Sequence, residues 1–301
     1  MFTTGAFLHP KQITHQDLDG KNFHFYLIVS SKVKYFKESY LKCDQIVFTV
    51  TDNNNNNVKE LILQNPPNCK VISYSFIYTD LSKENIEATI EVSKEGKVEK
   101  HEQIKFSATE LWYLLSDEIN FQIEYIGQSF ANDGHRNAIE RLSNHSTLQK
   151  ILADTLASSS KKDIRIFLLG AENIDLSSIN INNSNASIVT IQDSPKALTP
   201  EYVNLLEAFL INYFKPKYNQ TYVSGSIPTT KHKSYKKIVD ENYDEFIVSA
   251  GVSESKHTYI FNTDTQSIRV EQGFTKSHIH VSFDNANVVV DDYFYSFQNT
   301  K

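Results

Sequence analysis

The chain has 301 residues, 40% of them hydrophobic and 22% charged, with a formal net charge of −6. That length accommodates two or three small domains with modest cores, and no run of about 18 apolar residues is present to span a membrane. Cys43 and Cys69 are too few for a disulfide framework or a structural zinc site and read as buried free thiols; with no secretion signal at the N-terminus, the expected setting is reducing and cytoplasmic.

Residues 1–105 read mainly as strands. The runs 23–29 and 45–50 are β-branched and aromatic, as pleated strands favour. A polar turn over 52–57 then leads to a hairpin partner at 58–63, and 71–78 and 86–92 add further strands. From Phe106 the pattern changes. Residues 111–115 and 121–126 read as two strands joined by 116–120. Residues 137–156 show helical spacing, with Ile139, Leu142, Leu148, Ile151, Leu152 and Leu156 apolar, and Ser146 is a candidate start for a second helix in that span. Residues 164–169 and 187–191 read as short strands, and 173–185 as a polar, asparagine-rich loop. Thr199-Pro200-Glu201 is a helix start, with an N-cap residue, proline at the first position and an acid in the first turn. That helix should end before Pro216. After Gly225 a linker leads to strands at 246–249, 258–262, 278–283 and 288–290. The expected class is therefore α+β/α/β: a small three-stranded sheet with flanking helices in the centre, between β-rich N- and C-terminal regions. The expected boundaries are 1–105, 106–222 and 223–301, the last being a linker plus a β-rich acidic region.

The charge is unevenly placed. Residues 1–105 and 106–239 each balance 13 acids with 13 bases, whereas 240–301 carry 10 acids against 4 bases. Between Lys215 and Lys237 lie six lysines and no acid, interleaved with Tyr218, Tyr222 and Tyr235. Such a stripe can bind a phosphate backbone whatever the global charge; it can equally be a solvated linker. Arg136, Lys215, Lys217, Lys231, Lys233, Lys236 and Lys237 are the candidate nucleic-acid contacts. The acidic C-terminal region is expected to pack on the core or to mediate self-association.

A set of polar residues in the middle of the chain suggests chemistry. Glu207 lies in a helix beside Val203, Leu210 and Ile211, and a carboxylate on such an apolar stripe is costly unless paired or bound to metal. Magnesium suits one carboxylate plus waters and substrate oxygens. Arg141 and His145 are four apart and should share a helix face; arginine's fork suits phosphate oxygens, and histidine can relay a proton near neutral pH. Tyr113 and Tyr125 fall on the two neighbouring strands, where a tyrosine beside a cation can orient or activate water. Asn219 follows Pro216. Each of these residues taken alone also has an ordinary structural reading, as core, turn or surface.

Together they resemble the GIY-YIG nuclease family. Leu111-Trp112-Tyr113 stands where the first motif would be, Tyr125-Ile126-Gly127 matches the second, and Arg141-Leu142-Ser143-Asn144-His145 resembles the Arg-Leu-x-x-His helix. Glu207-Ala208-Phe209-Leu210-Ile211 and Pro216-Lys217-Tyr218-Asn219 resemble the metal-binding helix and the closing Pro-x-x-Asn. The resemblance covers residues 106–222. It implies a single-metal endonuclease in which Glu207 holds magnesium or manganese and Arg141 stabilises the phosphate. Tyr113 would activate water with help from His145, Tyr125 would position phosphate or water, and Asn219 would support the site. The implied substrate is nucleic acid, DNA first, in restriction, repair or phage defence. The β-rich flanks would choose the target or hold a partner, a second copy included. The alternative is a nuclease-like module that binds nucleic acid or protein without cutting. The first motif lacks its glycine and isoleucine, and the gap from Gly127 to Arg141 is longer than in compact members; His135 and Arg136 lie in that extended loop.

Overall fold

The computed structural model describes residues 2–13, 23–42, 45–52, 58–63, 69–78, 82–94, 97–128, 141–142, 145–171, 178–180, 187–189, 199–224, 245–249, 257–270, 277–284 and 287–294. The N-terminal region supplies β1 (Phe2–Leu8), β2 (Phe25–Lys32), β3 (Lys34–Lys42), β4 (Gln45–Asp52), β5 (Lys59–Leu63), β6 (Cys69–Tyr78), β7 (Asn85–Lys94) and β8 (Lys97–Ser107). Helix α1 (Ala108–Leu115) leads into β9 (Glu118–Gln128), followed by α2 (Ser146–Ala157), β10 (Lys162–Ala171), β11 (Ser178–Asn180), β12 (Ser187–Val189) and α3 (Pro200–Phe214). The C-terminal region adds β13 (Glu245–Ser249), β14 (Thr258–Asn262), β15 (Ser267–Val270), β16 (Ser277–Asp284) and β17 (Asn287–Phe294). The described residues thus form a mixed α and β structure made mostly of strands. None of their helices is long and apolar enough to cross a membrane.

Two compact units divide the chain. One comprises Met1–Ser30, Asn120–Ser158 and Ile164–Lys301; the other comprises Ser31–Ile119 and Ser159–Asp163. This division differs from the boundaries read from sequence, because β2 pairs with β9 across the whole of segment 31–119. The N-terminal thirty residues therefore belong with the centre of the chain.

The first unit is organised by a six-stranded sheet in the order β1-β10-β2-β9-β14-β15, where three strands were expected. Residues Phe25 to Ser30 of β2 are all buried, as a continuous apolar run in a central strand should be. On one face Tyr26, Ile28, Ile166 and Leu168 pack with Leu148 and Ile151 of α2, and Tyr125 rests against them. Phe121 instead joins Phe7, Phe167, Tyr259 and Phe261 in a cluster of rings 4.7–6.3 Å apart. Tyr125 and Phe121 are an even number apart in one strand, so strict alternation would put them on the same face. A register shift between Ile28 and Val29, where Tyr125 and then Ile123 are the partners, is a bulge that reverses the alternation between them. Separate small sheets pair β11 with β12 and order β13-β16-β17.

The second unit contains two antiparallel three-stranded sheets, β3-β4-β5 and β6-β7-β8. Its core gathers Phe36, Ile46, Phe48, Val50, Leu61 and Ile86 with Ala108 and Leu111 of α1. Here a second sequence expectation is corrected: residues 111–115 are helical. The Ser107 side chain accepts the Glu110 N–H as an N-cap, and the short apolar run behind it fits a buried helix as well as a strand. The helix from Pro200 runs to Phe214 as expected, with Lys215 in the left-handed conformation at its C-cap (φ 50°) and Pro216 following. The 53–57 turn, Cys43 and most of the 173–185 loop lie outside the described residues.

Phe121, 1% exposed, ties β9 to rings contributed by β1, β10 and β14. Phe121→Ala should cost about 3–5 kcal/mol, read as a lowered urea midpoint. A loss below ~1 kcal/mol would show that the ring cluster does not hold the sheet.

Candidate active site

The last residues of β9 organise the site. Across the β2–β9 ladder Gly127 is paired with Tyr26 and Tyr125 with Ile28. A Cβ at position 127 would lie 2.5 Å from Cζ and Oη of Tyr26 and 2.8 Å from Cε1 of Tyr125. Glycine is therefore needed so that the Tyr26 ring can lie across the strand. The two tyrosine rings stack with centroids 6.1 Å apart at 30°. His145 meets Tyr26 edge-on at 5.7 Å and lies 5.1 Å from Tyr125.

His145 is not on one helix face with Arg141. Arg141 and Leu142 are helical, but His145 has extended backbone (φ −83°, ψ 106°) and serves as N-cap of α2, its N–H closing a turn onto the Leu142 carbonyl. Its Nδ1 accepts the Leu148 N–H at 3.3 Å, and its Nε2 lies 3.1 Å from the Tyr26 hydroxyl. An acceptor at Nδ1 places the proton of the neutral ring on Nε2, so His145 donates to Tyr26. Tyr26 thus stands between His145, which its hydroxyl meets, and Tyr125, against which its ring stacks. The three rings form one contiguous group at the end of β9.

The opposite edge of β9 is held by three groups in succession. The Tyr218 N–H donates to the Glu124 carbonyl at 3.1 Å. The Asn219 amide accepts the Ile126 N–H at 3.0 Å and donates to the Ile126 carbonyl at 2.8 Å. The Gln128 N–H donates to Glu207 Oε1 at 3.1 Å, and the Gln128 side chain donates to Asn204 at 2.6 Å. Positions 124, 126 and 128 share one edge because backbone groups alternate along a strand. Buried backbone groups require such partners, and supplying them brings Glu207 and Asn219 to Tyr125.

Electrostatics tie the group together. Burial pushes the Tyr26 hydroxyl well above its usual pKa; Tyr125 and Glu207 add to that rise, and Arg141 opposes it. Tyr125 is raised first by burial and then by Glu207, again against Arg141. Burial and then the Arg141 charge lower His145. Burial raises Glu207 to about 7, despite Arg141 and the Gln128 N–H. One guanidinium thus acts on two tyrosines, a histidine and a carboxylate within the same unit.

Tyr113, expected on a strand, is helical. It is buried on α1 in the second unit, where its hydroxyl bonds Ser31 Oγ at 2.5 Å and Asp163 Oδ2 at 2.8 Å. Tyr26, assigned no role from sequence, stands beside Tyr125 and His145; its sequence signal is slight, one hydroxyl within the apolar run 25–29 and far upstream of the second motif. Lys215 is exposed and caps α3, and Lys217 is exposed with Nζ 5.2 Å from the Tyr218 ring centroid. Arg136, His135, Lys231, Lys233, Lys236 and Lys237 lie outside the described residues.

No group of three or more His, Cys, Asp or Glu able to hold a metal occurs among the described residues. Glu207 offers one carboxylate, with one oxygen held by Gln128. A divalent cation completing its shell with waters and substrate oxygens fits that donor set. Comparison with family models, curated proteins and solved structures finds no match to this chain.

Two outcomes follow from this geometry. Gly127→Ala should overpack the Tyr26 ring and cost about 1–3 kcal/mol, with Tyr26→Ala in the same background recovering part of that loss in urea unfolding; no loss would show that the close approach is not tight. Glu207 has a folded pKa of about 7, above its ordinary 4.5, so its stabilising contribution is complete below the ordinary value and disappears as pH rises through 7. Glu207→Gln keeps an acceptor for Gln128 but cannot ionise. It should gain about 2 kcal/mol over the wild type between pH 5.5 and pH 8.5, and a pH-independent difference would contradict the burial of that carboxylate.

Proposed function

We propose that the protein is a divalent-metal-dependent endonuclease that hydrolyses phosphodiester bonds, DNA first, with a site of the GIY-YIG type. The observation that carries this reading is the clustering of Tyr26, Tyr125, Arg141, His145 and Glu207 around the end of β9. In this proposal Tyr26 takes the part that sequence spacing assigned to Tyr113, and segment 31–119 is an insertion between the two tyrosine-bearing strands.

The residues divide the work by their chemistry. Arg141 supplies a fixed positive charge for a non-bridging phosphate oxygen, where its planar fork is well suited. Tyr125, half-buried beside Tyr26 and His145, would orient the attacking water through its hydroxyl while those two rings hold it in place. His145 is spent on both nitrogens in its neutral form; taking up a proton at Nδ1 would break the α2 cap. Glu207, with Asn219 fixing the strand beside it, would hold magnesium or manganese, which when bound neutralises charge developing on the phosphate. Asn219 touches only backbone and is a positioning residue. The proposed setting is cytoplasmic, in restriction, repair or phage defence. The competing reading is a module of the same build that binds nucleic acid or a protein without cutting it.

A plasmid-nicking assay with magnesium separates the two. Wild-type protein should nick, Glu207→Ala and Tyr26→Phe should lose about a hundredfold or more, and Tyr113→Phe should retain the wild-type rate. Magnesium should also raise the melting temperature of wild-type protein above pH 7 and leave Glu207→Gln unmoved. Absence of metal-dependent cleavage on every DNA and RNA form tested would sink the enzyme reading.

A further inference from the structure

Beside the site, the segment that follows α3 builds a second feature. Tyr218 precedes Asn219 and is fixed at both ends. Its N–H is held by the Glu124 carbonyl at 3.1 Å, and its hydroxyl donates to Asp154 Oδ2 of α2 at 2.8 Å. The ring is half-buried against the core beneath the sheet. Two exposed lysines reach it: Lys217 Nζ lies 5.2 Å from the ring centroid, and Lys150 Nζ, one turn before Asp154 on α2, lies 6.0 Å away. Neither lysine makes an ion pair among the described residues, and Asp154 is engaged by the tyrosine hydroxyl.

A rigid aromatic face flanked by mobile cations is the element that single-stranded nucleic acid uses: bases stack on the ring, and the ammonium groups follow the phosphates. The two lysines are exposed, so the core does not need them, and the half-buried Tyr218 ring keeps part of its surface open. Its place in sequence matters as well. Asn219, the next residue, pins the backbone of Ile126 beside Tyr125, so Tyr218 adjoins a residue that holds the candidate site.

We propose that Tyr218, Lys150 and Lys217 bind a single-stranded nucleic-acid segment flanking the scissile phosphate, the base on the Tyr218 ring and the neighbouring phosphates on the two lysines. This rests on the nuclease reading above and adds to it a preference for unpaired strand beside the cut. Aromatic stacking would also make the contact tolerant of sequence.

The test uses the full-length Glu207→Gln protein, which leaves the platform intact, and fluorescence anisotropy with a 12-nucleotide oligothymidylate and a matching duplex across a salt series. Lys150→Gln/Lys217→Gln should weaken single-strand binding about tenfold and reduce the salt slope by about 1.4, roughly 0.7 for each phosphate that is no longer neutralised. Tyr218→Phe should bind as before, and Tyr218→Leu should lose about tenfold or more. Both lysines are exposed, so the double variant should melt like its parent. Unchanged single-strand affinity and slope in the double variant would overturn the proposal, as would a loss confined to the duplex. If the wild type cleaves while the slope is unchanged, only this inference fails; if no form of nucleic acid binds and none is cut, the nuclease reading fails with it.

Discussion

The close approach of the Tyr26 ring to the backbone of Gly127 is the constraint on which the site depends. With no Cβ at position 127, β2 and β9 pair while a large side chain from one lies across the other. Any other residue there would force the ring out of register and away from His145. Because Tyr26 is buried, its hydroxyl must be satisfied, and His145 Nε2 satisfies it. A single glycine thereby lets Tyr26 meet both His145 and Tyr125.

Beyond that close approach the site is assembled from the needs of backbone groups. The edge of β9 presents polar groups at every second residue, and the chain after α3 answers them in order with Tyr218, Asn219 and, from the helix itself, Glu207. Lys215 and Pro216 end α3 abruptly and turn the chain back toward the strand. Glu207 is consequently carried into a partly dry position beside two tyrosines. That burial accounts for its raised pKa, and it is also why a cation there would be welcome: desolvation disfavours the bare carboxylate, and a bound charge compensates it.

The second unit enters the chain between the two strands that carry the tyrosines. Its two meanders and α1 close on their own core around Phe48 and Leu61. Insertion at this point is permitted because β2 and β9 are held to each other by their ladder, whatever the length of chain between them; loop-closure entropy grows only slowly with length. At its other end the first unit recruits β14 and β15 from the C-terminal region through the Phe121 ring cluster, which is how the C-terminal region shares a core with the first thirty residues.

Local pattern was enough for much of this chain. The strand runs at 23–29, 45–50 and 121–126, the helix between Thr199 and Pro216, and the start of α2 at Ser146 follow from β-branched and aromatic runs, caps and proline, all short-range properties. The grouping of Tyr125, Arg141, His145, Glu207 and Asn219 came instead from the resemblance of their motifs to one family, since each alone reads equally well as core, turn or surface. Residues 111–115 misled because five apolar residues look alike in a strand and in a buried helix turn. Tyr113 falls in that same helix and not on the strand expected for it. The chain by itself determined the elements and the chemical groups; only the tertiary structure decided which tyrosine meets the histidine, that Arg141 and His145 sit on separate helical segments, and that Gly127 is required. Strand pairing over a long insertion is a non-local event, set by which faces can be buried together, and no local window of residues contains that information.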